Sequence, residues 1–226
     1  MKNIVLEKKG GSILPLNSKS PLISVITAQV QEVMMGDSIF TMEIESALPV
    51  DFEVGDKVKV FNRYYYLNRL PQVERVSSRH LKYSVTMESA VYFLSHVLLT
   101  NTYDNPSSFN ATEADFTFTA DARGLLNMLC QNMNRVYGDD LWSWEIVDNG
   151  VDEHFNPEYD KVHSIAFSSQ NVLSALVNIN ELWGADYRVE ETSTGYVIQV
   201  GRYGQDIHQY TFSYGKGNGL YSLTRT

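Results

Sequence analysis

Hydrophobic and polar residues alternate along the first half of the chain, and this period of two predicts β-strands with one buried side. In residues 38–44, Phe40, Met42 and Ile44 lie on one face and Thr41 on the other. The preceding apolar run is separated from this strand by the glycine-bearing turn MMGD. The two runs are therefore predicted to pair as a β-hairpin.

A second hairpin is predicted immediately downstream. Val58 and Val60 alternate with lysines, Asn62-Arg63 is predicted to turn, and residues 64–67 return. Pro71 restricts the next run to an edge or bulged strand, because proline cannot donate a backbone hydrogen bond. The following run alternates again over residues 81–88. Strands this short, with turns this frequent, are typical of a small β-barrel or sandwich.

The pattern changes after a polar, turn-rich segment at residues 100–115, where two strand–helix–strand units follow. The first helix is predicted to begin at Asp121 as N-cap and to end at Gly138. Its predicted buried stripe consists of Leu126, Leu129, Met133 and Val136.

The second unit has the same order of elements. A Ser168/Ser169 cap is predicted to start its helix and Gly184 to end it. The buried stripe of this helix is predicted to contain Val172, Leu176, Ile179 and Trp183. A hairpin around the sequence TSTG follows. Two such units in succession predict helices packed on a sheet, so the fold class is α+β and β-rich.

Composition narrows the classes of function. The chain has 226 residues and a net charge of −9, which argues against tight nucleic-acid binding, because such binding needs lysine and arginine to displace counterions. The single cysteine, Cys130, excludes an internal disulfide framework. The first residues contain no apolar run of signal-peptide length, so synthesis in the cytoplasm is expected.

Candidate catalytic and ligand sites are weak, and we assign no catalytic, cofactor-binding or metal-binding residue from the sequence. The acidic segment 147–163 could be a divalent-cation loop, but it lacks the ligand spacing of a calcium loop, so a solvated loop is favoured. Cys130 lies in an apolar helix, which favours a buried side chain over a nucleophile. The GKGNG segment near the end precedes a strand-like run instead of a helix, so its glycines are interpreted as turn residues and not as a phosphate loop.

Aromatic residues are the remaining candidates for contacts with a partner. Side chains alternate along a strand, so one face of the RYYYLNR segment is expected to be core, and the other is free to meet a protein or a glycan. The candidate interface or glycan-contact residues are Tyr64, Tyr65, Tyr66, Trp142 and Trp144.

The order of these segments resembles that of a known family. The resemblance rests first on the segment GDKVKVFNRYYYLNRLPQVER, in which a tyrosine strand precedes a leucine-proline pair and a charged strand. It rests also on the segments that follow, which are LKYSVTMES, AVYFL and the two strand–helix units. The final YGKGNGLYSLTR resembles the stretch after which such proteins continue into further strands. The chain thereby resembles the N-terminal part of tail hub proteins of bacteriophages and prophages, in the baseplate hub and tail-associated protein superfamily.

This resemblance implies an architecture. Residues 1–107 plus about 204–226 would form a small β-barrel hub domain, and residues 108–203 an inserted α+β domain with two helices. Hub proteins of this kind form rings, usually homotrimers with two similar barrels per subunit, which meet the hexameric tail tube. The end at Thr226 would then be a truncation or the end of a separately encoded half.

The resemblance also implies a role. The expected function is a non-catalytic structural component of a phage or prophage tail tip, namely the hub ring between the tail tube and the fibres or spike. Its expected partners are further copies of itself, the tail tube, distal tail proteins and a downstream fibre or spike. It would be found in the virion and would need no cofactor. DNA would pass through the lumen without specific binding, and the net charge of −9 agrees with this.

Two alternatives stay open. Some relatives carry a peptidoglycan-cleaving or peptidase domain, and a cell-wall hydrolase or peptidase would require His154 or His163 to lie near Asp152 and Glu153. A carbohydrate-binding module would use the exposed face of residues 64–66 together with Trp142 or Trp144.

Overall fold

The computed structural model describes residues 4–19, 22–33, 35–102, 113–147 and 157–201, together with the short pairs 213–214 and 219–220. The first nine strands form one sheet. They are β1 (Val5–Glu7), β2 (Ile13–Pro15), β3 (Ser18–Lys19), β4 (Leu22–Gln31), β5 (Ile39–Ser46), β6 (Lys57–Val60), β7 (Arg63–Tyr66), β8 (Gln72–Ser77) and β9 (His80–Glu88).

The strand order is β2-β1-β6-β7-β9-β5-β4-β3, and β8 pairs with β9 outside this path. No ladder joins β2 to β3 among the described strands, so the sheet is open there and the closed barrel expected from the sequence is not seen. The β4–β5 hairpin is confirmed, with Val30 opposite Phe40 and a register shift between Val25 and Thr27. The fold is therefore β-rich with the alternating strands predicted.

The β6–β7 hairpin is confirmed, but its turn lies one residue earlier than predicted. Val60 pairs with Arg63, which leaves Phe61 and Asn62 as a two-residue loop in place of Asn62-Arg63. Both loop residues have positive φ, 48° and 65°. Positive φ at both positions of a two-residue loop matches the right-handed twist of the flanking strands.

The strand after Pro71 behaves as its proline predicts. All six residues of β8 are exposed, and its pairing with β9 is irregular between Arg75 and Ser77. On β9, by contrast, the predicted alternation is confirmed, since Tyr83, Val85 and Met87 are buried. A proline-led strand at the side of a sheet leaves its outer backbone groups to solvent.

A short helix, α1 (Val91–Ser95), leads to the two strand–helix units. The first unit contains β10 (Asp115–Ala120), α2 (Ala122–Tyr137) and β11 (Trp142–Ile146). The second contains β12 (His163–Ser168), α3 (Val172–Trp183), β13 (Asp186–Glu191) and β14 (Tyr196–Gly201), with a 3-10 turn at Pro157–Asp160 before it. β10 pairs with β12, and β14 lies between β11 and β13. None of the described helices is long and apolar enough to cross a membrane.

The ends of α2 agree with the sequence. Asp121 accepts a hydrogen bond from the Gly124 amide at 2.9 Å, and Gly138 is the C-cap. Leu126, Leu129 and Met133 are buried as predicted. The prediction for Val136 is wrong: it is 54% exposed, because the last turn of α2 extends past the core.

The cap predicted for α3 is also wrong. Asn171 is the N-cap, and its side chain accepts from the Ser174 amide at 2.8 Å. The hydroxyls of Ser168 and Ser169 instead donate to the Asp115 carboxylate, which ties β12 to β10. The Gly184 end is confirmed, with φ of 55°. The predicted stripe of α3 is confirmed as well, since Val172, Leu176, Ile179 and Trp183 are all buried.

Two hydrophobic cores result. One lies within the nine-stranded sheet and runs from Leu6 to Met87, and the other surrounds α2 and α3 and runs from Val91 to Val200. The predicted boundary at 107/108 lies outside the described residues and stays a prediction.

Near the C-terminus β15 (Ser213–Tyr214) pairs with β16 (Gly219–Leu220), and the glycine segment between them also lies outside the described residues.

The start of the chain is held to the first core by a buried ion pair, which gives a stability prediction. Asp56 is fully buried and accepts from the Lys8 ammonium at 2.7 Å, the Lys9 amide at 3.0 Å and the Glu53 amide at 2.9 Å. Asp56→Ala should lower the free energy of unfolding by about 3 kcal/mol, because it removes the counter-charge of Lys8, which keeps only the Asp51 carbonyl, and the acceptor of two amides. Urea unfolding measures this. Asp51→Ala, at an exposed neighbour, should change it by less than about 0.5 kcal/mol, and equal effects would contradict the assignment.

Candidate functional site

A cleft opens where the tip of the β6–β7 hairpin faces β13. Its volume is about 290 Å³, and its walls come from both halves of the chain. The lining stretches are residues 33 and 35–36 after β4, 61–64 of the hairpin, 89–91 before α1, and 187–191 of β13. The cleft therefore depends on how the two halves of the chain are held together.

The rim of the cleft includes exposed apolar residues and has unusual backbone geometry. Five described non-glycine residues have positive φ, and three of them, Met35, Phe61 and Asn62, line this cleft. Phe61 is 85% exposed, while Met35 and Val33 are 44% and 45% exposed. Bulky side chains at positive φ are sterically unfavourable, and strained residues of this kind cluster at functional sites.

The floor of the cleft is made by Tyr187 of β13. Its ring is buried, and its hydroxyl donates to the Met35 carbonyl at 2.5 Å, so it fixes the turn after β4 against the second core. Burial raises the pKa of Tyr187 to about 12. The hydroxyl therefore stays protonated and able to donate at neutral pH.

The four charged residues that line the cleft are already paired within the chain. Arg63 lies 3.7 Å from Glu32 and donates to the Ser38 hydroxyl at 3.3 Å. Arg188 is 2.8 Å from Glu190, and Glu191 accepts a hydrogen bond from the Tyr66 hydroxyl. Charges engaged in this way help to position the walls of the cleft.

An aromatic cluster behind the cleft joins the two cores, and Tyr66 is its member from the first sheet. The Tyr66 ring lies 4.9 Å from Phe93 between centroids, and its hydroxyl accepts from Tyr196 at 3.0 Å while donating to Glu191. Tyr196 in turn stacks on Trp142 at 4.6 Å. Burial, together with the hydrogen bonds to Glu191 and Tyr196, raises the pKa of Tyr66, so this hydroxyl is neutral and can donate and accept at once.

The five aromatic residues predicted to contact a partner differ in burial and location in the structure. Tyr66 and Trp142 come together in the aromatic cluster, and Tyr65 is 1% exposed and packs on Phe40 in the first core. Tyr64 and Trp144 are half-buried. A contact with protein or glycan at this set therefore stays a prediction that rests on Tyr64 and Trp144.

Tyr64 is the one of these two that reaches the cleft. Its ring lies 4.1 Å from the ammonium of Lys57 and 5.0 Å from that of Lys59, measured to the ring centroid. Its hydroxyl donates to Glu7 at 3.4 Å, a long contact. Sequence reasoning missed Phe61, Met35 and Tyr187. A signal was available for Phe61, because a bulky residue directly before the asparagine of a two-residue turn is unusual.

A carboxyl group supports the cleft from behind. Asp37 accepts from the Ser89 hydroxyl at 2.8 Å and the Ser89 amide at 3.1 Å, which ties the β4–β5 turn to the end of β9. Burial is the largest influence and raises the pKa of Asp37, and the nearby Glu88 adds to this, while the hydrogen bonds from Ser89 oppose it. The carboxylate form is therefore disfavoured by folding.

The other candidate groups do not assemble within the described residues. There, no group of three or more His, Cys, Asp or Glu side chains could hold a metal ion. Cys130 is buried, and burial raises its pKa to about 12, so its thiol is a poor nucleophile. Asp152, Glu153 and His154 lie outside the described residues, while Asp160 accepts from Arg123 at 2.7 Å. A second cavity of about 500 Å³ between β10 and α2 has no charged residue in its described lining.

Comparison with known proteins gives structural likeness only. No family model matches the chain, and no curated protein matches its sequence. Among solved structures, it is similar to the prophage tail protein gp18 from Listeria monocytogenes EGD-e, with a TM-score of 0.49, 12% identity, and coverage of 88% of this chain and 50% of that one. It is also similar to a chain of the lidded Francisella PdpA-VgrG complex, with a TM-score of 0.46, 9% identity, and coverage of 88% and 28%. The chain spans half or less of the length of either protein.

Removing one hydroxyl tests the junction between the cores. Tyr66→Phe keeps the ring but removes the group that links Glu191 to Tyr196, and it should lower the free energy of unfolding by about 1–2 kcal/mol. Tyr64→Phe is the matched control two positions away, where the long contact to Glu7 predicts a change below about 0.5 kcal/mol. Denaturant-induced unfolding of both variants measures these changes in free energy. Equal losses would show that the Tyr66 hydroxyl has no special role.

The raised pKa of Asp37 predicts a pH dependence of stability. Between its ordinary pKa and its raised folded value, the unfolded chain has lost this proton and the folded chain has kept it, so stability falls as pH rises through that window. Asp37→Asn keeps an oxygen acceptor for Ser89 without the charge. The variant should melt higher than wild type at pH 7.5, and the difference should shrink at pH 4. Asp139→Asn, at an exposed site, is the control. A lower melting temperature for Asp37→Asn at pH 7.5 would contradict the sign.

Proposed function

We propose that this chain is a structural component of a phage or prophage tail tip, within the hub ring that links the tail tube to fibres or a spike. The observation that carries the proposal is the order of elements along the chain. The tyrosine hairpin β6–β7 is followed by the Leu70-Pro71 step, the exposed strand β8, strand β9 and helix α1, and then by two strand–helix–strand units. This is the order on which the resemblance to tail hub proteins rests.

The chemistry of the cleft supports a binding role in this region and not a catalytic one. Its four charged residues are paired with one another or with neighbouring side chains. The exposed apolar residues of its lining are Val33, Met35 and Phe61. A general acid or base must be free to exchange a proton with a substrate, whereas an apolar rim suits contact with protein.

Assembly as a ring is part of the proposal. β4 has ten residues without a charge, and among the described strands its outer side pairs only with β3, through Leu22 and Ile23, so most of that side has no strand partner in the described part of the chain. Charged residues and prolines normally protect such edges from pairing with other chains. The nine-stranded sheet is taken as the hub domain, which would close into a barrel when residues 204–226 return to it. Copies of the chain would assemble as a homotrimer against the tail tube.

The net charge of the chain suits a channel for DNA. A lumen formed by a protein of charge −9 repels the phosphate backbone, so DNA passes without being bound. The proposed place of the protein is therefore the virion, after synthesis in the bacterial host.

The direct test is to locate the protein in particles. Tail particles purified from the producing host are analysed by mass spectrometry and by immunogold electron microscopy against this chain. The proposal expects the protein in stoichiometric amount and gold at the tip of the tail. Its absence from intact tails, or labelling along the whole tube, would contradict the proposal.

The enzyme alternative is tested in parallel by incubating the purified protein with dye-labelled peptidoglycan. The tail-tip proposal expects no release of dye above buffer, with lysozyme as the positive control. Release that disappears in His163→Ala would favour a hydrolase.

A further inference from the structure

We propose that Phe61, at the tip of the β6–β7 hairpin, is the side chain through which one copy of this chain binds a second copy. The proposal rests on the proposed function in one respect, because it names the surface through which subunits of the ring would meet. It is carried by the backbone geometry, exposure and charge of the hairpin.

Phe61 is unfavourable for the isolated fold in two independent ways. Its φ of 48° lies in the left-handed region, where glycine, asparagine and aspartate are favoured and a bulky side chain is strained. Its side chain is also 85% exposed, so the ring recovers little of the strain through packing within its own chain. Asparagine or glycine would remove both costs. An aromatic side chain that is both strained and exposed is best explained by a contact with another molecule.

The surroundings of Phe61 extend this contact into a patch. Met35 also has positive φ, 51°, and with Val33 it forms an exposed apolar part of the rim of the same cleft. Tyr187 holds the Met35 carbonyl, so this rim is fixed before any partner arrives. A preformed apolar rim around an aromatic side chain is typical of the centre of a protein interface.

Charge indicates that the partner is a second copy of this chain. The hairpin carries Lys57, Lys59 and Arg63 within seven residues, and Lys59 is exposed. Removing these three positive charges from the net −9 leaves −12 for the rest of the chain. The hairpin is thus a basic element of an acidic protein, and a second copy offers it a surface of complementary net charge.

Two variants at neighbouring positions distinguish the effect of the Phe61 aromatic side chain from the effect of the strained turn. Phe61→Asn relaxes the turn and removes the ring, whereas Asn62→Gly relaxes the turn and keeps the ring. Sedimentation velocity over a concentration series measures self-association, and thermal melts measure the fold. Wild type and Asn62→Gly should associate as concentration rises, and Phe61→Asn should associate at least about tenfold more weakly, a loss of about 1.4 kcal/mol. Its melting temperature should be equal to that of wild type or higher by about 2 °C.

A charge substitution and added salt give a second test of the contact by sedimentation velocity. Lys59→Glu should weaken association, and added salt should weaken the wild type, because exposed charges are screened. Val73→Ser, which removes an exposed apolar side chain from β8, should leave association unchanged. The inference is overturned if wild type stays monomeric at the highest concentration that remains in solution, or if Phe61→Asn associates as strongly as wild type. Neither result bears on whether the protein is found at the tail tip, which the particle analysis decides.

Discussion

The rest of this structure depends on the contact between its two hydrophobic cores, and Tyr66 is at its centre. Its ring packs on Phe93 of the second core, and its hydroxyl joins Tyr196 to Glu191. A buried hydroxyl that both donates and accepts has a defined direction, so the contact sets the orientation of β7 against β13 as well as their distance. Together with the hydrogen bond from Tyr187 to Met35, this contact fixes the wall opposite the hairpin tip and so gives the cleft a defined shape.

The same constraint explains how the charged residues of the cleft are used. The groups that orient its walls are its charged residues, and each is used in doing so: Arg63 holds the hairpin to Ser38, and Glu191 holds Tyr66. The apolar residues that the cleft exposes to solvent are led by Phe61. The strain stored at Phe61 and Met35 is tolerated because the hairpin ladder and the Tyr187 hydrogen bond determine the backbone on both sides.

The sequence predicted elements where a local pattern decides them. Alternation found β5 and β9, and the N-cap Asp121 and the C-cap Gly184 found helix ends, because each depends on neighbours in the chain. Prediction from the sequence failed where the structure depends on residues that are far apart in the chain. The hydroxyls of Ser168 and Ser169 donate to Asp115 on another strand, and α3 begins only at Val172 with Asn171 as its N-cap. The cleft was missed for the same reason, since its walls are separated by more than a hundred residues, and the pairing of Tyr66 with Trp142 through Tyr196 leaves no periodic signal.

Differential scanning calorimetry of the wild-type protein tests the central claim most directly. If the Tyr66 contact couples the two cores, they should unfold together, in one transition whose calorimetric and van't Hoff enthalpies agree. Two separated transitions, with one core melting while the other keeps its heat of unfolding, would contradict the account, because the cleft would then lie between parts that are independent of each other.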